Sequence, residues 1–149
     1  GQQAESLIAY DFRSVLPGWE IVYKGDRAGY RGLTYVSEKR IEIYIDPGDT
    51  PSSVSEILAH ELGHAIDVTH LNTEDRNRWL KLRNMPSTWW PGDGLIDFHV
   101  GAGDFAEAVA TVLTGSPSDS HYGSFSDKQL CERLRQTRDP AETQRLLAG

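Results

Sequence analysis

The pattern of apolar and polar residues predicts a helix at the start of the chain, followed by three extended segments. Apolar side chains recur at helical spacing over residues 4–16, and Pro17 with Gly18 ends the pattern. The extended segments are residues 19–23, 32–36 and 40–46. The last alternates strictly, with isoleucine at every second position, as is typical of a half-buried strand. Short connections between the segments predict an antiparallel meander.

The rest of the chain is predicted to be mostly helical. Ser53, with Glu56 three residues later, has the form of a capping box and predicts the start of a helix that continues to Asp67. Residues 85–103 contain prolines, glycines and two adjacent tryptophans, which indicates a long ordered loop. Further helices are predicted over residues 73–84, 104–114 (ended by Gly115), 126–138 and 141–147.

The helix predicted at residue 53 carries the sequence His60-Glu61-Leu62-Gly63-His64. Residues four apart lie on one face of a helix, so both histidines can offer a ring nitrogen to one metal ion. Glu61 then lies beside the ion, where its carboxylate can take a proton from a metal-bound water. Imidazole ligands without a set of thiolates favour zinc, Zn²⁺.

Composition and charge limit the remaining possibilities. A chain of 149 residues with 25% charged and 38% apolar residues is typical of one globular domain, so residues 1–149 are interpreted as a single unit. The net charge of −7 argues against nucleic acid as a partner. No apolar segment approaches membrane-spanning length, so no membrane contact is expected. A single cysteine, Cys131, excludes both an internal disulfide and a cysteine-based zinc site.

A catalytic zinc ion usually has three protein ligands, and the sequence offers two sources for the third. One is the acidic pair Asp104 and Glu107, one turn apart on the predicted helix 104–114, where one carboxylate can bind zinc and the other can orient a ligating histidine. The other source is His70, whose spacing from His60 and His64 matches the HExxHxxGxxH pattern of metzincins. Asp67 stands there in place of the glycine that normally breaks the helix.

The sequence His60–Asp67, followed by Asp104–Ala108, resembles the gluzincin type of zincin metallopeptidases over roughly residues 40–115. It is most similar to the group of lethal factor and the Pro-Pro endopeptidases, with their small bacterial relatives. The resemblance implies a zincin-like α+β fold with an N-terminal helix, a short antiparallel sheet, an HExxH helix and a mostly helical C-terminal part. It also implies a zinc-dependent peptidase with a peptide or protein as substrate.

The chain departs from this family pattern at two places. The group has an acidic ligand at the first position of Glu-x-x-Ala-Glu, where this chain has Gly103. Asp104 is therefore taken as the substitute ligand, with Glu107 at the supporting position. The tyrosine that the group has seven residues ahead of its ligand also has no match, since Asp97 and Val100 stand there. Stabilisation of the transition state then needs another donor, for which His99 and Tyr122 are candidates.

The sequence therefore predicts a zinc peptidase with His60, His64 and Asp104 as metal ligands and Glu61 as general base. Two alternatives stay open: a metzincin-type site that uses His70, and a non-catalytic module that zinc only stabilises. Strand 40–46 is a candidate for binding an extended substrate if it lies at a sheet edge. Trp89 and Trp90 either line the site or cover the core. The first residues favour a secreted or cell-envelope location with a targeting segment removed, although the compartment stays open.

Overall fold

The computed structural model describes residues 1–8, 11–86, 88–91 and 97–116, and it has the α+β composition that the sequence predicts. The elements in chain order are α1 (Gln2–Ser6), α2 (Phe12–Val15), β1 (Glu20–Gly25), β2 (Gly32–Tyr35), β3 (Arg40–Ile45), α3 (Pro51–His70), α4 (Thr73–Leu82), a 3₁₀ turn (Asp97–His99) and α5 (Gly101–Thr114). The helices predicted over 126–138 and 141–147 lie outside the described residues. None of the described helices is long and apolar enough to cross a membrane.

The three strands form one mixed sheet in the order β1-β3-β2, so the predicted antiparallel meander is wrong. Strand β3 lies in the middle, parallel to β1 and antiparallel to β2. Ile41 and Ile43 of β3 are completely buried, and the central position covers this most apolar strand on both sides. The edge strand beside the long helix α3 is therefore β2, and β3 is not available for pairing with a substrate.

The predicted N-terminal helix is two short helices. Asp11 accepts a hydrogen bond from the backbone N–H of Ser14 and so caps α2, which starts a new helix inside the predicted one. Apolar residues of both pieces still face the core, among them Ala4, Phe12 and Val15. The apolar spacing therefore identified the buried face, while the capping residue decided where the helix is interrupted.

Helix α3 is longer than predicted at both ends. Thr50 caps it, and the capping box joins Thr50 to Ser53, with Pro51 as the first helical residue. Ser53 is thus the third residue of the helix and not the residue that starts the helix. At the other end, the helix continues through Asp67 to His70, so the break that a metzincin pattern requires at position 67 is absent.

Helices α3 and α5 cross in close contact at Gly63 and Ala106. A Cβ atom on Gly63 would lie 2.6 Å from the Cα atom of Ala106, so only glycine allows this approach. Helix α5 ends as predicted at Gly115, whose φ of +76° suits a left-handed C-cap. The crossing brings residues of α5 beside the histidines of α3.

Candidate metal centre

His60 and His64 present their Nε2 atoms to one point in the cleft, as their spacing on the helix predicts. The two atoms are 3.2 Å apart, and both side chains are largely buried. Because the residues are four positions apart on one continuous helix, the backbone of α3 alone determines this pairing.

The third member of the group is Asp97, from the 3₁₀ turn that precedes α5. Its Oδ2 atom lies 2.8 Å from His60 Nε2 and 3.0 Å from His64 Nε2. Among the described residues, His60, His64 and Asp97 are the set that could hold a metal ion. The family pattern has a tyrosine at the position of Asp97, and the sequence did not predict Asp97 as a ligand.

Gly103 makes room for Asp97. A Cβ atom at position 103 would lie 1.9 Å from the backbone oxygen of Asp97 and 2.8 Å from its Cγ atom. Any other residue at 103 would therefore displace the 3₁₀ turn that carries the Asp97 carboxylate. Gly103 stands where the family pattern has its acidic ligand, and its missing side chain leaves the space for the turn that brings the Asp97 carboxylate to the histidines.

Glu107 supports His60 from the other side of the imidazole ring. Its Oε1 atom is 2.6 Å from His60 Nδ1, the distance of a strong hydrogen bond. With a proton held on Nδ1 by this carboxylate, Nε2 offers its lone pair to a metal ion once the proton that it shares with Asp97 is lost. The structure thus places Glu107 beside the ring nitrogen of His60 that faces away from Asp97.

Asp104, the predicted third ligand, is not part of this group. Its carboxylate is completely buried and accepts hydrogen bonds from Trp79 Nε1 at 2.9 Å and from the Arg83 guanidinium at 2.9 and 3.0 Å. Each helical residue turns the side chain by about 100°, so a one-residue step from Gly103 points Asp104 at α4 instead of the histidines. Trp79 and Arg83, four positions apart at the end of α4, are the signal that would have indicated this pairing.

His70 is also remote from the group. Its Nε2 atom lies 2.6 Å from the backbone oxygen of Val15, on the side of α3 that packs against the N-terminal segment. Asp67, at the position of the metzincin glycine, is completely buried and accepts from Arg76 Nε and Trp89 Nε1, both at 2.8 Å. These bonds keep Asp67 in the helix, and His70 consequently stays on a different face from His60.

Glu61 is buried beside the group and contacts strand β2. Its Oε2 atom accepts a hydrogen bond of 2.6 Å from the hydroxyl of Thr34. A Cβ atom on Gly32 would lie 2.7 Å from Glu61 Cγ, so the strand leaves just enough space for the side chain. Two residues of β2 therefore hold the carboxylate in one orientation.

The charges around the two histidines favour a cation between them. Burial alone would lower the pKa of His60, but hydrogen bonds to Asp97 and Glu107 and the charge of Glu61 raise it to about 10. Burial would likewise raise the pKa of Asp97, but its bonds to His60 and His64 hold it well below its ordinary value. Three carboxylates around two imidazoles thus make a site in which positive charge is stabilised.

The donor atoms fit a small, borderline-soft metal ion such as zinc. Tetrahedral ligands with zinc bonds of about 2.0–2.1 Å lie roughly 3.3 Å apart. The three atoms of His60, His64 and Asp97 are 2.8–3.2 Å apart, so an outward shift of a few tenths of an ångström suffices. Two imidazoles and one carboxylate are a common zinc donor set, and other divalent transition metals also accept it.

The group lies at the junction of two cavities that form one cleft along β2. The larger, about 530 Å³, extends from His60 towards Tyr30 and Thr111, and the smaller, about 360 Å³, extends from His64 towards Trp90. Both are lined by Gly32, Glu61 and Asp97. A molecule that fills the cleft would therefore pass directly over Glu61 and the group of His60, His64 and Asp97.

The remaining predicted residues lie at different places in the structure. Trp89 is buried in the core, whereas Trp90 is half exposed and lines the smaller cavity, so the two tryptophans have different roles. His99 is an exposed residue of the 3₁₀ turn. Tyr122 lies outside the described residues.

Comparison of the chain with protein-family models, with curated proteins and with solved structures finds no match. The function of the protein must therefore be inferred from the geometry of its site.

Proposed function

We propose that the protein is a zinc-dependent peptidase with its active site at His60, Glu61, His64 and Asp97. One observation carries the proposal: a buried carboxylate, Glu61, lies in an open cleft beside a group of two imidazoles and one carboxylate. This is the combination that hydrolysis by a metal-activated water requires. Asp97 replaces Asp104 as the proposed third ligand.

The residues have separate tasks in this reaction. When bound, the zinc ion supplies Lewis acidity, polarising the scissile carbonyl and lowering the pKa of a water molecule. His60, His64 and Asp97 hold the ion, and Glu107 orients His60 through its Nδ1 atom. Glu61 takes the proton from the attacking water and passes it to the leaving amine. Thr34 keeps the carboxylate of Glu61 pointed into the cleft.

Strand β2 is the proposed binding edge for the peptide. The backbone N–H of Tyr44 donates to the carbonyl of Arg31, so this pair is hydrogen-bonded within the antiparallel ladder. Because such pairs alternate, the backbone groups of Gly32 and Thr34 point away from β3 towards the open edge. An extended peptide can pair with them and pass over Glu61.

A non-catalytic zinc module is the rival interpretation, and the number of donors argues against it. Structural zinc sites are normally closed by four protein ligands. The group has three donors among the residues that the structure describes, and it opens into a cleft. The carboxylate of Glu107 is hydrogen-bonded to His60 instead of completing the set.

The decisive experiment pairs metal content with peptide cleavage. The parent protein and Glu61→Gln are purified, their metals are measured by mass spectrometry, and both are incubated with a library of peptides. We expect about one zinc per chain in both proteins and loss of most cleavage in Glu61→Gln. Equal cleavage by both proteins would refute the peptidase mechanism, and zinc without cleavage in the parent would favour the structural role.

A further inference from the structure

The smaller cavity beside His64 is lined mainly by apolar side chains. We call it the apolar pocket and define it by Val36, Val68, Trp90, Pro91 and Ala102. Val36 and Trp90 are among the most exposed large hydrophobic residues, with 51% and 48% of their surface accessible. Single exposed hydrophobic residues are ordinary, but two that face one cavity next to a metal group indicate a binding surface.

The position of Trp90 is built into the fold. The Arg76 guanidinium lies 5.1 Å from the centre of the Trp90 ring, close enough for a cation–π contact. Arg76 is itself fixed by the completely buried carboxylate of Asp67, which also binds Trp89. Trp90, which lines the apolar pocket, is therefore connected through Arg76 and Asp67 to the same helix that carries His60 and His64.

The cavity on the other side of the metal group has a different chemistry. Its lining combines the apolar Ile57, Phe98 and Ala110 with charged and hydroxyl-bearing residues, namely Arg31, Glu56, Tyr30, Ser53, Thr111, Thr114 and Ser116. Residues of a substrate on the two sides of the metal group would therefore meet unlike surroundings.

We propose that the apolar pocket is a specificity site that accepts a hydrophobic side chain of the substrate next to the cleaved bond and rejects an acidic one. The inference rests on the proposed function, because it takes the bound molecule to be a peptide that crosses the metal group. A leucine-sized side chain removes apolar surface of Val36, Val68 and Trp90 from water. An aspartate there would lose hydration and would face the carboxylates of Glu61 and Asp97, which border the same cavity.

The test uses hydroxamates, which bind open metal sites directly, so that it does not depend on turnover. Two series are used, in which residue X is leucine, serine or aspartate. In acetyl-X-hydroxamate, X precedes the metal-binding hydroxamate, and in hydroxamoyl-acetyl-X-amide, X follows it. Affinity for the zinc-loaded protein is measured by calorimetry. In one of the two series we expect leucine to bind at least about tenfold more tightly than aspartate, the size of discrimination that one hydrophobic pocket supplies.

Variants link this preference to the apolar pocket. Val68→Lys and Val36→Lys place a positive charge in it and should abolish or reverse the preference for leucine over aspartate. Val36 is half exposed in the turn after β2, so its replacement is compatible with folding even if that of Val68 is not. Leu82→Lys is the matched control, since Leu82 is 56% exposed on α4 and is not among the residues that line either cavity.

The outcomes separate the specificity site from the peptidase function on which it rests. Hydroxamates that bind without regard to the side chain, or a preference that survives both valine substitutions, would overturn the specificity site and leave the peptidase proposal intact. Failure of every hydroxamate to bind the zinc-loaded protein would refute an open metal site, and both proposals would fall together.

Discussion

The carboxylate of Asp97 occupies the space next to Gly103 that a side chain at position 103 would need. A Cβ atom there would lie 2.8 Å from Asp97 Cγ and 1.9 Å from the Asp97 backbone oxygen, well inside van der Waals contact. The acidic donor is thus supplied by the turn before α5 instead of by the helix itself. The conformation of the turn therefore depends on the absence of a side chain at position 103.

Gly103→Ala should weaken zinc binding and destabilise the protein, because the added methyl group must push the 3₁₀ turn away from the histidines. A backbone shift of this kind in a packed site costs about 1–3 kcal/mol, which corresponds to a loss of roughly ten- to a hundredfold in affinity if the turn moves. Zinc titration by calorimetry and urea unfolding measure the two effects. Gly25→Ala is the control, since nothing lies within 4 Å of a Cβ atom at that position. Unchanged zinc affinity in Gly103→Ala would contradict the assignment.

Substitution of the candidate ligands should distinguish Asp97 from Asp104 and His70. Asp97→Ala should lose zinc while remaining folded, because Asp97 is half-buried and its bonds are to the two histidines. His70→Ala should bind zinc like the parent protein. Metal content after dialysis against dilute zinc is the measurement, and a zinc-free but folded His70→Ala protein would restore the metzincin-type alternative.

Asp104→Asn should reduce stability and leave the metal site intact. The substitution removes the carboxylate charge that pairs with Arg83 and weakens the hydrogen bond from Trp79. Breaking a buried ion pair of this kind costs about 3–5 kcal/mol. Zinc-loaded protein should unfold at lower urea concentration than the parent but still contain one zinc per chain. A stable, zinc-free Asp104→Asn protein would show that Asp104 is a ligand after all.

Thr34→Val should slow hydrolysis without changing zinc affinity, since valine has the same shape as threonine but cannot donate to Glu61. A base that is no longer held in position is expected to cost about ten- to a hundredfold in kcat. Thr34→Ser keeps the hydroxyl and should recover most of the rate. Steady-state kinetics on a peptide that the parent cleaves provide the comparison, and an unaltered kcat in Thr34→Val would exclude a positioning role.

Glu42 should make stability depend on pH. Hydrogen bonds from Lys24, Tyr44 and Arg40 lower its pKa to about 2, below the value of about 4.3 for an unfolded glutamate. The carboxylate therefore stabilises the folded state above about pH 4, and this contribution is lost as the pH falls towards 2. Urea unfolding in the presence of a chelator should show parent and Glu42→Gln differing most at neutral pH and converging in acid. Glu38→Gln, in the exposed turn before β3, is the control. A difference that does not vary with pH would contradict the ion-pair explanation.

What the sequence by itself determined are the features that depend on local spacing. Two histidines four residues apart must share a face of any continuous helix, and Gly115 ends α5 because a left-handed residue is needed there. The buried face of the N-terminal segment and the isoleucines of β3 also follow from periodicity. Each of these features requires only the geometry of one helix or strand.

Only the tertiary structure decided the order of the strands and the origin of the third donor. Asp97 is separated from His60 by 37 residues and from His64 by 33, so its place depends on where α3 and α5 cross. That crossing is set by the contact of Gly63 with Ala106, and the choice between Asp97 and Asp104 is set by the space at Gly103 and by the bonds from Trp79 and Arg83. Spacing along a chain determines which face of a helix a residue occupies, but the neighbour that this face meets is determined only when the helices pack.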